Sequence, residues 1–243
     1  MQKKTGHRSR RPPLRDMLAR QIETGVLKPG SQLASERELS EDCGMTRVTV
    51  REALQQLETE GLVYRMNRRG WFVAARRLDY DPVEDAGFMR NVSRQGRTPK
   101  TETLLKEKMP ASPWLASHLG VRVGAAVFHL QRRRCIDERP VLLEDIFLIA
   151  QRYPSLLTAD LDGSLSEVLA QRYGVRTQRS QIVFTSTALL GPHADALLVS
   201  PGTPGLLLTR TARDSDGKVV EFDQEYWRHD VLNIALTTGI SRK

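Results

Sequence analysis

Arg47, Thr49 and Arg51 follow directly on Thr46, a residue type suited to capping the N-terminus of a helix. Arginines on the first turns of a helix pair with guanine O6 and N7 or with phosphate, and the hydroxyls of Thr46 and Thr49 bond phosphate or touch a thymine methyl. The dipole and free N–H groups of the same helix start favour phosphate. A second set of candidates lies far along the chain. Arg132 and Arg134 continue an alternating row begun by Phe128 and Leu130, and Glu144 falls among Leu142, Ile146 and Leu148. Charges on the apolar face of a strand need a partner, because their desolvation is otherwise uncompensated. Glu221 and Trp227 share a parity on a third run, so both face one side of that strand.

Other chemistries find no foothold. His7, His118, His129, His193 and His229 are scattered, Cys43 and Cys135 stand in no metal-ligand spacing, and the sequence shows no nucleophile–base pair or glycine-rich phosphate loop. Neither a metal nor a cofactor is expected. Two distant cysteines make no disulfide framework, so a reducing cytoplasm is the expected location. No run approaches about eighteen apolar residues. The basic start from Met1 to Pro13 is followed by no apolar segment, which argues against a membrane span or secretion.

Positioning the first set requires two helices and a hairpin. Leu14, Met17, Leu18 and Ile22 predict a helix that starts after Pro12 and Pro13 and ends near Thr24 and Gly25. Pro29 and Gly30 make a turn. Ser35 followed by Glu38 is a capping box, opening a short helix that buries Leu39 and Cys43 and stops at Gly44. After Thr46, Val50, Ala53, Leu54 and Leu57 keep helical spacing up to Gly61. Two helices joined by a tight glycine turn form a helix-turn-helix, whose second helix can enter a major groove. Leu62 to Arg65 and Trp71 to Ala74 predict a hairpin wing. Its tip, Arg68 and Arg69, suits a minor groove or the flanking phosphates. Charge agrees with this division, since Met1 to Leu78 holds 16 Lys and Arg against 9 acids and the remainder 21 against 20.

Arg76 to Glu84 lacks periodicity and reads as a linker. Beyond it, helices are predicted around Asp85 to Gln95, from Ser112, and from Ser164 to Tyr173. Strands are predicted near Thr101 to Met109, Ala125 to Ile136, Val141 to Ile149, Gln181 to Leu189, Gly205 to Asp214 and Val219 to Arg228, with tight turns at Asp137 to Pro140 and Asp214 to Lys218. Successive hairpins with a few helices indicate an α+β fold built on an antiparallel sheet. The domain plan is a basic arm over 1–12, a winged helix-turn-helix over 13–75, a linker over 76–84 and a second domain over 85–243. The arm, with Lys3, Lys4, Arg8, Arg10 and Arg11, is expected to be disordered in the free protein. Two readings of the second set stay open. In one, Arg132 and Arg134 grip an anion, Glu144 and Glu221 accept hydroxyl or amine hydrogen bonds, and Trp227 is a stacking wall. In the other, an internal Arg–Glu network braces the sheet and binds nothing.

The run from Gly25 to Val73, with SERELS and TRVTVRE in order, resembles the winged-helix domain of the GntR superfamily of bacterial transcription regulators. The resemblance implies contacts to double-stranded DNA from Arg37 in SERELS, from Arg47, Thr49 and Arg51, and from the wing tip. Two departures stand out: Ala34 replaces the usual proline, and Arg68-Arg69-Gly70-Trp71 replaces a wing of the form GxG followed by Thr. Asp85 to Leu236 resembles the effector-binding UTRA domain of the HutC branch, built like chorismate lyase. The matching pieces include GF at Gly87, QGRTP from Gln95, the pair Arg132 and Arg134, GSL from Gly163, RYGV from Arg172, and VEF followed by WRxD. That resemblance implies a pocket for a sugar phosphate or other small anion, with Phe88, Met89, Arg132 and Arg134 near the anion and Glu144, Ser164, Glu221 and Trp227 around the rest. It departs at Met89, where threonine is common, and at Trp227, where tyrosine is common. A homodimer on a near-palindromic operator, controlled by a small molecule, is the leading expectation. A dimerising scaffold with a closed pocket, and an enzyme of chorismate lyase type suggested by fold alone, are the alternatives.

Overall fold

The structure is a computed structural model that describes residues 12–66, 69–82 and 87–236. The chain divides after Arg76 into two compact units. Arg68 and the cations of the basic arm, Lys3, Lys4, Arg8, Arg10 and Arg11, lie outside the described residues.

The first unit is built from α1 (Leu14–Glu23), α2 (Glu36–Cys43), α3 (Arg47–Thr59), β1 (Val63–Met66) and β2 (Gly70–Val73). Each helix has a local cause. Ser35 and Glu38 form the reciprocal capping box, Gly44 closes α2 in the left-handed region at φ 65°, and Thr46 caps α3. The helical stripes converge: Leu14, Leu18, Leu39, Val50, Leu54 and Leu57 pack with Val63, Trp71 and Val73 of the hairpin. Full burial of each such side chain stabilises by about 1.5–3 kcal/mol, enough to fix the short helices, which would be marginal alone. β1 and β2 pair antiparallel from Val63 opposite Val73 to Met66 opposite Gly70, and Gln32 bridges to Phe72 on the other side. This is the expected winged helix-turn-helix, except that α3 ends at Thr59 rather than running to Gly61.

The second unit is a six-stranded antiparallel sheet, in the order β4 (Pro99–Pro110), β5 (Ala126–Ile136), β6 (Arg139–Ile149), β9 (Val219–Arg228), β8 (Thr203–Arg213) and β7 (Arg179–Leu189). On one face Phe128, Leu130, Ile146 and Leu148 pack under α6 (Leu165–Tyr173) and two 3-10 turns at Ala150–Arg152 and Leu156–Thr158. Further along the same face, Leu142, Leu208 and Trp227 pack against Phe88 and Val92 of α4 (Gly87–Arg94). The opposite face carries α5 (Pro113–Leu119) over Val127 and Phe222, and α7 (Gly191–Ala196) over Leu143 and Leu189. The α+β class and every predicted long strand are present.

The linker assignment needs correction. Leu78–Tyr80 forms a strand, β3, paired in parallel with β10 (Leu232–Ile234), and Leu78 is fully buried in the second unit. Three residues are too few for alternation to register, so β3 and β10 left no periodic signal. The six-residue α7, opened by Gly191 and Pro192, spans less than two turns, too short for helical spacing to show in the sequence.

Candidate nucleic-acid interface and effector site

The underside of α3 is core, with Val50, Leu54 and Leu57 fully buried, so its N-terminal turns present the opposite side outward. Arg47, Val48, Thr49 and Arg51 are all exposed there. The Thr46 hydroxyl accepts the Thr49 N–H at 3.2 Å and lies 3.0 Å from the Thr49 hydroxyl, so one cap fixes both. Arg51 donates to Glu36 Oε2 through Nη2 at 2.7 Å and Nε at 3.1 Å, while Glu36 Oε1 accepts Trp71 Nε1–H at 3.3 Å. Its bond to Arg51 holds the Glu36 carboxyl below the usual range. Trp71, read as a departure in the wing, therefore joins β2 to the first turn of α2 and to α3. Gly70 sits at φ 96°, where an L side chain is strained and an added Cβ would come within 3.3 Å of Gln32 Nε2. Arg37 is exposed and paired with Glu41 one turn away at 3.1 Å, and Arg69 lies 5.7 Å over the Phe72 ring. Sequence reasoning passed over Val48, an apolar side chain 66% exposed between Arg47 and Thr49 and suited to a thymine methyl.

In the second unit, pairing lines up charge across three strands: Arg132 of β5 faces Glu144 of β6, which faces Glu225 of β9. Both arginines converge on one carboxylate. Glu144 Oε1 lies 2.6 Å from Arg132 Nε and 2.8 Å from both Arg134 Nε and Nη2. Arg132 Nη1 donates to the Leu161 and Gly163 carbonyls, and Arg134 Nη1 donates to the Thr101 hydroxyl at 2.9 Å. Burial pushes the Glu144 carboxyl up, but the two guanidiniums outweigh it and hold it below its ordinary range. The second reading of the sequence is thus realised in part: an internal Arg–Glu network exists. A parallel cluster sits one strand over. Arg210 Nη2 donates to Glu225 at 2.8 Å and to the Tyr80 hydroxyl at 3.2 Å, and Trp227 Nε1 donates to Glu225 Oε2 at 2.7 Å.

The other expected residues gather around this row. The Phe88 ring carries the Arg134 guanidinium at 5.1 Å and stands 6.2 Å from the Trp227 ring. Met89 Sδ accepts from the Thr101 hydroxyl at 3.6 Å. Ser164 caps α6, its hydroxyl accepting the Glu167 N–H at 3.3 Å, beside the Gly163 carbonyl that Arg132 holds. Glu221 is half-buried on the same row of β9, and Trp227 is nearly fully buried, so its indole is a packed wall with its N–H already taken. Thr101, Arg210, Asp223 and Glu225 were missed. Parity alone places Asp223 and Glu225 between Glu221 and Trp227, but Thr101 and Arg210 enter only through strand register. Beside Arg132, where β4 is bulged between Thr103 and Leu105, a cleft of about 380 Å³ is lined by Thr103–Lys106 and Ala159–Asp162. Among the described residues no group of three or more His, Cys, Asp or Glu could hold a metal ion, and no helix is long and apolar enough to cross a membrane.

An exposed, capped helix of the winged type, followed by a charged row on an antiparallel sheet, defines a DNA-binding regulator with an effector-binding domain. The chain belongs to the family with a UTRA domain, matched over residues 94–233, joined to the region of the bacterial regulatory proteins of the gntR family, matched over 13–73. It is 29% identical over 223 residues to the uncharacterized HTH-type transcriptional regulator YihL of Escherichia coli strain K12, covering 91% of this chain and 94% of that protein. It is 26% identical to the HTH-type transcriptional repressor NagR of Bacillus subtilis strain 168, covering 88% of each. Among solved structures, PhnF from Mycobacterium smegmatis matches with a TM-score of 0.67 at 28% identity, covering 93% of this chain and 99% of that one. YihL and NagR are named transcriptional regulators, which points away from an enzyme.

Proposed function

We propose that the protein is a cytoplasmic homodimer that represses transcription from a near-palindromic operator and is released by a small anionic metabolite, without a cofactor. The observation that carries the DNA reading is the outward face of α3, where Arg47, Val48, Thr49 and Arg51 stand over a fully buried underside. Footprinting is the test. A protected inverted repeat, with affinity falling steeply as salt rises, is expected; no protected repeat, or binding indifferent to salt, contradicts it. For the effector, Arg132 and Arg134 offer two guanidiniums against the single carboxylate of Glu144, a surplus suited to a phosphate or carboxylate. The engagement of both arginines by Glu144 equally supports a scaffold that binds nothing. Thermal shift with small phosphorylated metabolites separates the two, since a binder raises Tm in proportion to the logarithm of its concentration and a scaffold stays silent. Arg134→Gln is expected to lose that response and keep DNA binding.

A further inference from the structure

Arg51 carries donors on two edges of its guanidinium, and the first unit uses only one of them. Nε and Nη2 share the side edge, and both donate to Glu36 Oε2, at 3.1 and 2.7 Å. The end edge, formed by Nη1 and the second Nη2 hydrogen, makes no bond among the described residues, and the arginine side chain is 54% exposed. Two parallel N–H groups on one edge match O6 and N7 of guanine. Such a match discriminates only when the plane is held, because a loose guanidinium finds phosphate oxygens as readily.

Glu36 does not hold that plane alone. Its flexible side chain, on the first residue of α2, keeps one orientation because the other oxygen, Oε1, accepts Trp71 Nε1–H at 3.3 Å. Trp71 is itself fixed. It is 3% exposed among the core side chains, its carbonyl accepts the Leu33 N–H at 2.8 Å, and the Arg65 guanidinium lies 5.9 Å over its ring. An indole nitrogen only donates, so it satisfies the carboxylate without competing for it as an acceptor of Arg51. A rigid chain therefore runs from the core through one indole and one carboxylate to one exposed guanidinium.

We propose that Trp71 is a specificity-determining residue acting through Glu36, which together aim the end edge of Arg51 at one guanine in each half-site. This rests on the DNA reading of α3 and adds what Arg51 reads and what aims it. Trp71 and Glu36 are positioning residues, and contact with the base is left to Arg51. Trp71→Phe removes the N–H without changing charge, freeing Glu36 and Arg51 together. Glu36→Gln keeps an acceptor for the indole but turns an amide N–H toward Arg51, donor against donor.

The test uses the full-length chain. Selection from random duplexes with the parent supplies the operator, and the position at which Arg51→Ala loses discrimination marks the base that Arg51 reads. Affinities for all four base pairs at that position, and for a scrambled duplex, are then read by fluorescence anisotropy. The parent is expected to prefer guanine there by about ten- to hundredfold. Trp71→Phe and Glu36→Gln are each expected to cut that preference at least about threefold, while other positions and the scrambled duplex stay within about twofold. In the Arg51→Ala background, Trp71→Phe is expected to change nothing further at that position. A base other than guanine, no position marked by Arg51→Ala, or a parent-like preference in Glu36→Gln overturns the inference and leaves the DNA reading standing. An even loss across all positions in Trp71→Phe, or an equal loss in the Arg51→Ala background, assigns Trp71 to stability alone and overturns it as well. A parent that enriches no sequence overturns the DNA reading and this inference with it. Glu36 is partly exposed, at 18%, so its variant tests the aim of Arg51 even where Trp71→Phe fails to fold.

Discussion

At the scale of single residues, Arg47 and Arg51 differ although both lie on the outward side of α3. Arg51 is tethered to Glu36 and, through that carboxylate, to Trp71, whereas Arg47 makes no ion pair among the described residues. The Arg51–Glu36 pair is more than half exposed on the arginine side, and such pairs contribute little to stability. Its role is therefore orientation. Arg47→Ala and Arg51→Ala are each expected to weaken binding to operator DNA by about 1–3 kcal/mol, while Tm stays within a degree or two of the parent. Titration by fluorescence anisotropy, paired with a melting curve, checks both halves. Affinity unchanged in either variant removes that residue from the interface. These arginines were legible in the sequence because a threonine cap and an apolar stripe are local signals. The Glu36–Trp71 tether was not, since residues 35 positions apart meet only once the hairpin is folded onto α2.

Elements show the same division between what is local and what depends on register. The capping box of α2, the cap of α3 and the alternation on β5, β6 and β9 all repeat within a few residues, and each was read correctly from the chain. Asp223 and Glu225 lay on a parity already in use for Glu221 and Trp227, yet their meaning came from Arg210 on the neighbouring strand. Gly205 of β8 is a test of that register. A Cβ there would lie 2.9 Å from Leu189 Cδ2 and 3.0 Å from the Trp227 carbonyl oxygen. Gly205→Ala is expected to destabilise the second unit by about 1–3 kcal/mol, measured by urea unfolding, because backbone on one side cannot retreat. No loss of stability would mean the strands are spaced more loosely than described.

On the opposite face of the same sheet, His129 Nε2 lies 2.8 Å from Asp145 Oδ1, and its ring stacks on Phe147 at 4.7 Å. Burial pulls the imidazolium down, but Asp145 and then Glu107 outweigh it, so the pKa is raised above 6.5. The sign follows from linkage. A raised pKa contributes stability that is complete below the unfolded value near 6.5 and is lost as pH climbs through the folded value. Melting temperature is expected to fall between pH 6 and pH 8.5 more in the parent than in His129→Gln. Parallel pH profiles for the two proteins would rule His129 out as the titrating group.

For the whole molecule, the uneven charge is the property that matters most. Sixteen Lys and Arg against nine acids before Asp79 give the first third nearly all of the net charge of +8. A domain charged this way approaches polyanions quickly and binds them with strong salt dependence. Control by a metabolite then requires the effector to favour one state of the protein over another, with a coupling of typically about 1–3 kcal/mol, or roughly 5- to 150-fold in operator affinity. The most direct measurement of sequence reading by α3 is selection of bound sequences from a pool of random duplexes, carried out in parallel with the parent chain and with Arg47→Ala. The parent is expected to enrich an inverted repeat, and the variant to enrich the same repeat with one base position per half-site relaxed. No enriched sequence from the parent, or an identical motif at every position from the variant, would contradict it.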